Sequence, residues 1–218
     1  MARLTTVLFD FDGTLVDTTE LIHQSMRHAT STVLGKEFTR EELLSGVGRP
    51  LSDQMKGLDP DRADELLEVY NAHNVAHHDD LIREFPGVED ALSRLQKAGL
   101  ELAVVTSKRR DSVDQALRLL PGLGRVVDRF VTMEDTAKHK PDPEPLWKGL
   151  EFLGASREEA AYVGDSPYDI AAARAAGLAS VGVSWGAFTH DQLRESAPDH
   201  LVTDMQAAAA VLLSLATS

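Results

Sequence analysis

Apolar and polar residues follow one another along most of the chain in blocks that predict alternating strands and helices. Residues 5–9 are β-branched or apolar and contain neither Gly nor Pro, as expected of a strand buried on both faces of a parallel sheet. From Pro86 onward, short apolar runs alternate with longer segments whose apolar residues recur at helical spacing. This alternation favours a parallel sheet covered by helices.

Several of the predicted helices end at a glycine, such as Gly99, Gly154 or Gly177. Pro121 and Gly122 are expected to end another helix in a similar way. The predicted helices after Pro86 cover 87–98, 110–120, 143–153, 167–176, 190–195 and 204 onward. The predicted strands cover 100–105, 129–132, 160–163, 178–183 and 200–202.

The segment 17–82 has a different pattern, because its apolar residues recur at helical spacing and it is poor in strand-forming runs. Residues 46–50 and 57–60 contain Gly and Pro and predict turns between its helices. We therefore predict an α/β protein with a doubly wound, Rossmann-like parallel-sheet core, formed by residues 1–16 and 83–218. A small α-helical domain, residues 17–82, would be inserted after the first strand.

The composition narrows the classes of partner. There are 22 Lys and Arg against 35 Asp and Glu, and the net charge of −13 argues against a nucleic acid as the main partner. There is no cysteine, so neither disulfides nor thiol chemistry is available. The most apolar tail, residues 207–216, is too short to span a bilayer. We expect a cytoplasmic monomer or dimer that binds neither nucleic acid nor membrane.

Two aspartates, Asp10 and Asp12, follow the first predicted strand directly. Because they alternate with Phe11 along an extended chain, both side chains leave the backbone on the same side. Gly13 permits a sharp turn, and a turn alone would explain Asp12 and Gly13. It does not explain Asp10, since a carboxylate at the end of a buried strand is costly unless it is paired or metal-bound. The pair therefore indicates a functional site.

Polar residues also follow other predicted strands, at the edge where doubly wound sheets bind ligands. Thr106, Ser107 and Lys108 stand at the start of a helix, where anions can bind, although capping of that helix explains Thr106 equally well. Asp165 follows a buried strand and Asp169 lies about one helical turn later, so both carboxylates can face one point. Capping of the helix by Asp165 or its neighbour Ser166 is the alternative there.

These segments resemble the motifs of the haloacid dehalogenase superfamily, whose members mostly transfer phosphoryl groups. Residues 10–15, Asp-Phe-Asp-Gly-Thr-Leu, resemble its DxDGT signature, and residues 164–169 resemble its GDxxxD acidic motif. Thr106 is similar to its hydroxyl residue, and Lys140, in a basic loop before a helix, to its lysine. The resemblance covers residues 5 to about 202 and implies a phosphatase with a helical type-one cap inserted over the site.

The resemblance implies a role for each motif residue. Asp10 would be the nucleophile that forms an aspartyl phosphate, and Asp12 the general acid and base. Thr106 would hydrogen-bond the transferring phosphoryl group, and Lys140 would neutralise the charges that repel each other there.

The implied cofactor is Mg2+, which prefers hard oxygen ligands. The resemblance assigns it to Asp10, the backbone carbonyl of Asp12 and Asp165. Asp169 would orient Lys140 or a metal-bound water.

A small phosphorylated compound is the expected substrate. Gly13, Thr14, Ser107 and Lys108 are its predicted contacts in the core. In the inserted segment, Arg49 offers a guanidinium fork for a carboxylate or a second phosphate, with a solvent-exposed turn as the alternative.

Three histidines of the inserted segment, His73, His77 and His78, include a pair at the i, i+4 spacing of a metal site. No acidic residue accompanies them at fixed spacing. A solvated helix end is therefore the favoured interpretation.

The finer resemblance is to the phosphoglycolate phosphatase group, so phosphoglycolate-type monoesters are the favoured substrates. Residues 70–79, 138–145 and 182–185 resemble more narrowly a bacterial pyrophosphatase branch of that group, which makes inorganic pyrophosphate the alternative. A phosphomutase of the β-phosphoglucomutase type shares the motifs and is less favoured. The dehalogenase branch lacks the second aspartate of the first motif, so Asp12 argues against it. A regulator without activity would have lost a motif residue, and none is missing.

Overall fold

The computed structural model describes residues 3–217 and contains a six-stranded parallel sheet with helices on both faces. The strands are β1 (Thr6–Phe9), β2 (Val16–Asp17), β3 (Arg83–Glu84), β4 (Glu101–Val105), β5 (Phe130–Val131), β6 (Ala160–Gly164), β7 (Ala179–Val183) and β8 (His200–Val202). The order in the large sheet is β5-β4-β1-β6-β7-β8, and β2 pairs with β3 in a separate antiparallel ribbon. The predicted α/β class with a doubly wound parallel sheet is confirmed.

β1 lies in the middle of the large sheet, between β4 and β6. From β1 the chain runs outward through β4 to β5 and then returns to place β6 on the other side of β1. The strand order therefore reverses next to β1, and ligands of doubly wound sheets bind at such a point, beyond the carboxyl ends of the strands. Asp10 is the first residue after β1.

Eleven helices are assigned within residues 3–217, joined in places by short 3-10 turns. They are α1 (Thr19–Leu34), α2 (Arg40–Leu44), α3 (Leu51–Leu58), α4 (Ala63–Leu81), α5 (Val88–Lys97), α6 (Arg110–Leu119), α7 (Pro121–Val126), α8 (Glu144–Leu153), α9 (Pro167–Ala176), α10 (His190–Glu195) and α11 (Met205–Thr217). None of them is long and apolar enough to cross a membrane, within the part of the chain that the structure describes.

One predicted helix end is confirmed and another was wrong. The helix predicted over 110–120 ends before Pro121, since α6 stops at Leu119. Pro121 also begins α7, which was not predicted, and its missing N–H is harmless there because the first turn needs no donor. Gly57 and Leu58 belong to α3, so the predicted turn starts two residues later, at Asp59. Leu58 packs against the same hydrophobic cluster as the buried Met55, and this tertiary packing outweighs the low helix propensity of glycine.

Hydrophobic clusters lie on both faces of the sheet and among the inserted helices. Val7 and Phe9 face a cluster shared with α5 and α11, whereas Leu8, pointing the other way, faces α8 and α9. A third cluster, which includes Met26 and Leu66, lies among α1–α4. We call these four the cap helices.

The cap helices lie between β2 and β3 in the chain, and the β2–β3 ribbon pairs Val16 with Glu84 and Asp17 with Arg83. The predicted division into 1–16 with 83–218 and 17–82 stays a prediction, and its residues 1, 2 and 218 lie outside the described residues.

Candidate active site

Asp10 is 3% exposed at the end of the central strand. Its backbone N–H donates to the carbonyl oxygen of Val163 at 2.8 Å, so the hydrogen bonding between β1 and β6 continues to this residue. Its Oδ1 lies 3.0 Å from Nζ of Lys140 and accepts no hydrogen bond from residues 3–217. One oxygen of this buried carboxylate is thus available to a further partner.

Lys140 is the cation of a buried network and is 2% exposed. Its Nζ donates to Oδ1 of Asp169 at 2.7 Å and to the hydroxyl of Tyr162 at 2.9 Å. Tyr162 in turn donates to the carbonyl oxygen of Val105 at 2.8 Å. Burial opposes the charge on Lys140, but the carboxylates of Asp10 and Asp169 outweigh it and hold the pKa of the lysine above its ordinary value.

Asp169 has both carboxylate oxygens engaged. Besides the contact of Oδ1 with Lys140, its Oδ2 accepts from the backbone N–H of Ser166 at 3.0 Å and from the Ser166 hydroxyl at 2.6 Å. Ser166 is the N-cap of α9, and the two residues form a capping box. Capping by Ser166, which the sequence offered as the alternative to a functional role at this helix, therefore occurs together with the pairing of Asp169 with Lys140.

Asp165 is fully buried and has one oxygen free within the described chain. Its Oδ2 accepts from the backbone N–H of Ala187 at 2.7 Å, and its Oδ1 has no hydrogen-bond partner among residues 3–217. A Cβ atom at Gly13 or Gly186 would overlap this carboxylate. Two glycine backbones, one after β1 and the other after β7, therefore pack closely against the Asp165 carboxylate.

The carboxylates of Asp10, Asp165 and Asp169 have oxygens within 4.8 Å of one another. Burial raises the pKa of Asp10 to about 7 against the lowering effect of Lys140, and burial with the neighbouring carboxylates raises the pKa of Asp165 well above its usual range. Three carboxylates beside one lysine leave two negative charges in excess, which is costly in a buried site unless a cation offsets them.

The donor set fits a divalent cation. Asp10 and Asp165 each have a buried oxygen that accepts no hydrogen bond within residues 3–217, although that of Asp10 also lies 3.0 Å from Nζ of Lys140, and hard carboxylate oxygens are the ligands that Mg2+ prefers. Because the carboxylate oxygens of Asp169 already accept hydrogen bonds from Lys140 and Ser166, this residue fits a role in orienting Lys140 rather than a role as a metal ligand. The backbone carbonyl of Asp12 as a third ligand remains a prediction.

The carboxylate of Asp12 forms an ion pair with a different cation, the ammonium group of Lys108. Its Oδ1 accepts from Lys108 Nζ at 2.8 Å, and both side chains are partly exposed, 18% for Asp12 and 13% for Lys108. The buried Thr106 accepts from the backbone N–H of Lys108 at 3.1 Å through its hydroxyl oxygen. Lys108, predicted as a substrate contact, thus lies beside the predicted acid and base.

A cavity of about 180 Å3 lies between the end of the sheet and the cap helices. Its core wall includes Asp10, Asp12, Thr106, Ser107 and Lys108. Its cap wall includes Val47, Gly48, Arg49, Tyr70, Asn71 and Asn74. The structure therefore brings most of the predicted site residues together around one small space.

Arg49 and Tyr70 are the notable side chains of the cap wall. The guanidinium carbon of Arg49 lies 5.2 Å from the centre of the Tyr168 ring, and its Nε has no hydrogen-bond acceptor among residues 3–217. Tyr70 is 6% exposed, and its hydroxyl accepts from Asn74 at 3.3 Å. Burial and the nearby charge of Asp12 raise the pKa of Tyr70, so its phenol stays neutral.

Three of the predicted substrate contacts, Ser107, Thr14 and Gly13, already make contacts within the protein. The Ser107 hydroxyl donates to the carbonyl oxygen of Gly48 at 2.8 Å. Thr14 is fully buried, and its carbonyl oxygen accepts from the indole N–H of Trp185 at 3.1 Å. Gly13 leaves space for Asp165. Contact of these residues with substrate remains a prediction.

Sequence reasoning missed Tyr162, Tyr168 and the loop of Gly186 and Ala187. Tyr162 stands inside an apolar strand and was indistinguishable from a core residue. Gly186 and Ala187 follow β7 at the same sheet edge as the recognised motifs, and that position was the available signal.

The histidines of α4 differ from the expected solvated helix end. His78 is 1% exposed, and its Nδ1 lies 2.9 Å from Oδ1 of Asp79, so this expectation was wrong for His78. The rings of His73 and His77 stack with centroids 4.1 Å apart, and His28 of α1 lies 4.7 Å from His73. The convergent metal-ligand group found within residues 3–217 is the acidic one, without these histidines.

Comparison with known proteins assigns the class. Residues 7–183 match the model of the haloacid dehalogenase-like hydrolase family, so the chain belongs to that family and is a hydrolase. It is 39% identical over 203 residues to a protein of Bacillus velezensis named pyrophosphatase PpaX, covering 93% of this chain and 94% of that relative.

Solved structures share the fold over nearly their whole length. A predicted phosphatase from Clostridium acetobutylicum has a TM-score of 0.86 at 25% identity, covering 98% of this chain and all of that one. A predicted phosphoglycolate phosphatase from Haemophilus somnus has a TM-score of 0.81 at 24% identity, covering 97% of this chain and 99% of that one. The resemblance drawn from the sequence motifs is confirmed.

Proposed function

We propose that this protein is a Mg2+-dependent phosphatase that hydrolyses inorganic pyrophosphate through a phosphorylated Asp10. One observation carries the proposal. One small cavity is lined both by Asp10, a buried carboxylate paired with Lys140, and by Arg49 of the cap helices, a cation that has no ion pair within residues 3–217. A nucleophile facing a cation suits a small substrate with a phosphoryl group at each end.

Asp10 is the proposed nucleophile. Its carboxylate oxygen bonds to phosphorus while the bond from phosphorus to the bridging oxygen breaks, which yields an aspartyl phosphate and free phosphate. Lys140 neutralises charge between the nucleophile and the phosphoryl oxygens, and Thr106 donates its hydroxyl to one of those oxygens. The ion pair of 3.0 Å between Lys140 and Asp10 supports this assignment.

Asp12 is the proposed acid and base. As a carboxylic acid it gives its proton to the leaving oxygen, and as a carboxylate it then takes a proton from water, whose oxygen attacks phosphorus and frees Asp10. Lys108, 2.8 Å from Oδ1 of Asp12, holds this side chain at the edge of the cavity.

Asp10, Asp165 and the backbone carbonyl of Asp12 are the proposed Mg2+ ligands, with Asp169 orienting Lys140. The bound ion would supply positive charge next to the phosphoryl oxygens, where negative charge develops. The buried oxygens of Asp10 and Asp165 that accept no hydrogen bond within residues 3–217 support this set.

The size of the cavity and the relatives support pyrophosphate as the substrate. At about 180 Å3 the cavity is well below the roughly 300–1,000 Å3 of pockets for drug-sized ligands. Relatives named pyrophosphatase PpaX match nearly the whole chain. Phosphoglycolate-type monoesters, which the sequence favoured, are the second candidate, because a carboxylate also fits the fork of Arg49.

Phosphate release in the presence of Mg2+ tests the proposal. Pyrophosphate, phosphoglycolate and p-nitrophenyl phosphate are compared, and we expect the highest kcat/KM with pyrophosphate. A higher kcat/KM with phosphoglycolate would make phosphoglycolate the assigned substrate instead of pyrophosphate. Absence of phosphate release from all three compounds would overturn the proposed phosphatase function. Isomerisation of a sugar phosphate without net release would indicate a phosphomutase.

Replacement of Arg49 separates the two substrates. Arg49→Ala removes a charge-assisted contact of about 1.5–3 kcal/mol, so kcat/KM for the true substrate should fall about 10- to 100-fold. Arg49→Lys keeps the charge but loses the fork and should recover part of the loss. Equal losses with all three substrates would mean that Arg49 serves folding or closure of the cap helices rather than selection.

A further inference from the structure

We propose that Tyr168 is a positioning residue that holds Arg49 in the cavity and so sets the preference for substrates that carry a second anionic group. The proposal rests on the function proposed above. Tyr168 lies at the start of α9, one residue before Asp169, and it is not among the side chains that line the cavity. It acts through Arg49 rather than on the substrate.

Two hydrogen bonds from the core hold the part of the cap turn that directly precedes Arg49. The Tyr168 hydroxyl donates to the carbonyl oxygen of Ser45 at 3.2 Å, and the Ser107 hydroxyl donates to that of Gly48 at 2.8 Å. Both acceptors are backbone atoms of the turn that carries Arg49. The turn is thereby placed against the core independently of any ligand.

The aromatic ring supports the cation itself. The Arg49 guanidinium carbon lies 5.2 Å from the centre of the Tyr168 ring, within the range of a cation–π contact. Such a contact uses the face of the guanidinium group and leaves the N–H groups at its edge free. Consistent with this, Nε of Arg49 has no acceptor among residues 3–217 although it is buried. The Tyr168 ring therefore orients the Arg49 guanidinium group without neutralising its charge.

The backbone at Gly48 approaches α9 so closely that the contact depends on glycine. Its φ is +99°, and a Cβ atom there would lie 2.5 Å from the Ser166 hydroxyl oxygen and 3.3 Å from the Tyr168 ring. Ser166 is fixed by its capping box with Asp169. Tyr168 therefore stands on the same rigid helix start as the residue that orients Lys140, which couples the position of Arg49 to the core.

A double-mutant cycle tests the coupling. The proteins compared are Tyr168→Leu, Tyr168→Phe, Arg49→Ala and the double variant Arg49→Ala with Tyr168→Leu, with pyrophosphate and p-nitrophenyl phosphate as substrates. We expect Tyr168→Leu to lower kcat/KM for pyrophosphate about tenfold and kcat/KM for p-nitrophenyl phosphate by a several-fold smaller factor, because that ester has no second phosphoryl group for Arg49. Tyr168→Phe, which keeps the ring, should retain most of the activity. The double variant should be no worse than Arg49→Ala, because the two residues act as one unit.

Gln192→Glu is a matched control for a general weakening of the contact between the cap helices and the core. It keeps an acceptor for the capping box of α10 but places a charge against Glu41 of α2, which Gln192 contacts at 3.2 Å. It should affect both substrates equally. Multiplicative losses in the double variant, or equal losses with both substrates in Tyr168→Leu, would overturn the proposal.

Calorimetric binding of imidodiphosphate with Mg2+ separates failure of this proposal from failure of the proposed function. If the wild-type protein does not hydrolyse pyrophosphate, the substrate assignment fails, and the same cycle is measured on imidodiphosphate affinity. Weaker binding by Tyr168→Leu, with no further loss in the double variant, would support the role of Tyr168. Equal affinities of wild type and Tyr168→Leu would overturn it.

Discussion

The two walls of the cavity are built in opposite ways. Asp10 on the core wall is backed by Lys140 and Asp169, and these three residues are at most 3% exposed and form one network of ion pairs. On the cap wall, Arg49 is only partly buried and rests on the ring of Tyr168. The charges behind the core wall therefore pair with one another, whereas the cation of the cap wall has no ion pair within residues 3–217.

This difference assigns the chemical step to the core wall and the choice of substrate to the cap wall. Fixed charges suit phosphoryl transfer, because they need no rearrangement when negative charge develops. A turn between helices can vary without disturbing that network, since connecting segments tolerate change better than the elements that they join. If the separation holds, changes in the core wall should affect every substrate, and changes among the cap helices should have smaller effects.

Removal of the nucleophile should have the largest effect. Asp10→Asn keeps the size of the side chain but cannot form the aspartyl phosphate, so phosphate release should fall to background with every substrate. Phosphate assays and a thermal melt check activity and folding in the same preparation. Release at near wild-type rate, in protein shown by mass to be free of deamidation, would contradict the role of Asp10.

Removal of divalent metal should stop turnover almost as completely. EDTA treatment should abolish phosphate release, and added Mg2+ should restore it, because Asp10 and Asp165 need a cation to offset their charge. Asp165→Asn should also weaken Mg2+ binding measured by calorimetry. Full activity in thoroughly demetallated protein would contradict the proposed dependence on Mg2+.

Loss of the buried lysine should destabilise the fold. Lys140→Met leaves Asp10 and Asp169 without their cation and should lower the free energy of unfolding by about 3–5 kcal/mol, measured by urea denaturation. Lys138→Met is the matched control, since its side chain is 68% exposed and its ion pair with Asp142 should contribute about 0–1 kcal/mol. Equal effects of the two changes would show that the core network does not stabilise the fold.

Acidification should have the smallest effect, and it should act on the cap helices. Burial and the neighbouring His77, His28 and Arg27 lower the pKa of His73 below its usual 6.5. Between the lowered folded value and 6.5 the unfolded chain binds the proton more readily, so the contribution of His73 to stability should fall as the pH falls below 6.5, whereas the raised pKa values of Asp10 and Asp165 act in the opposite direction.

The urea midpoint at pH 7.5 and pH 5.5 checks this effect of acid. His73→Asn should show a smaller loss between the two pH values than the wild type, whereas His190→Asn, at an exposed helix start, should behave like the wild type. An identical loss in all three proteins would exclude His73 as the cause.

The sequence allowed the core wall to be predicted because its chemistry is local. Asp10 and Asp12 stand in one short motif after a buried strand, and Asp165 and Asp169 are one helical turn apart. The parallel sheet then brings the ends of its strands to one edge, so motifs distant in the chain meet. The same logic placed Thr106 beside them.

The remaining contacts depend on packing that no local pattern encodes. Tyr162 reads as a core residue until the fold sets its hydroxyl beside Lys140, and Ala187 contributes a backbone N–H that carries no side-chain signal. The β2–β3 ribbon was missed because each strand has only two residues, and α7 because proline can begin a helix as well as end one.

The β2–β3 ribbon also has a mechanical consequence. Because Val16 pairs with Glu84 and Asp17 with Arg83, the chain leaves and re-enters the core at adjoining points. Both chain connections of the cap helices therefore lie in one short ribbon, so a substitution that breaks its pairing would loosen the two connections together.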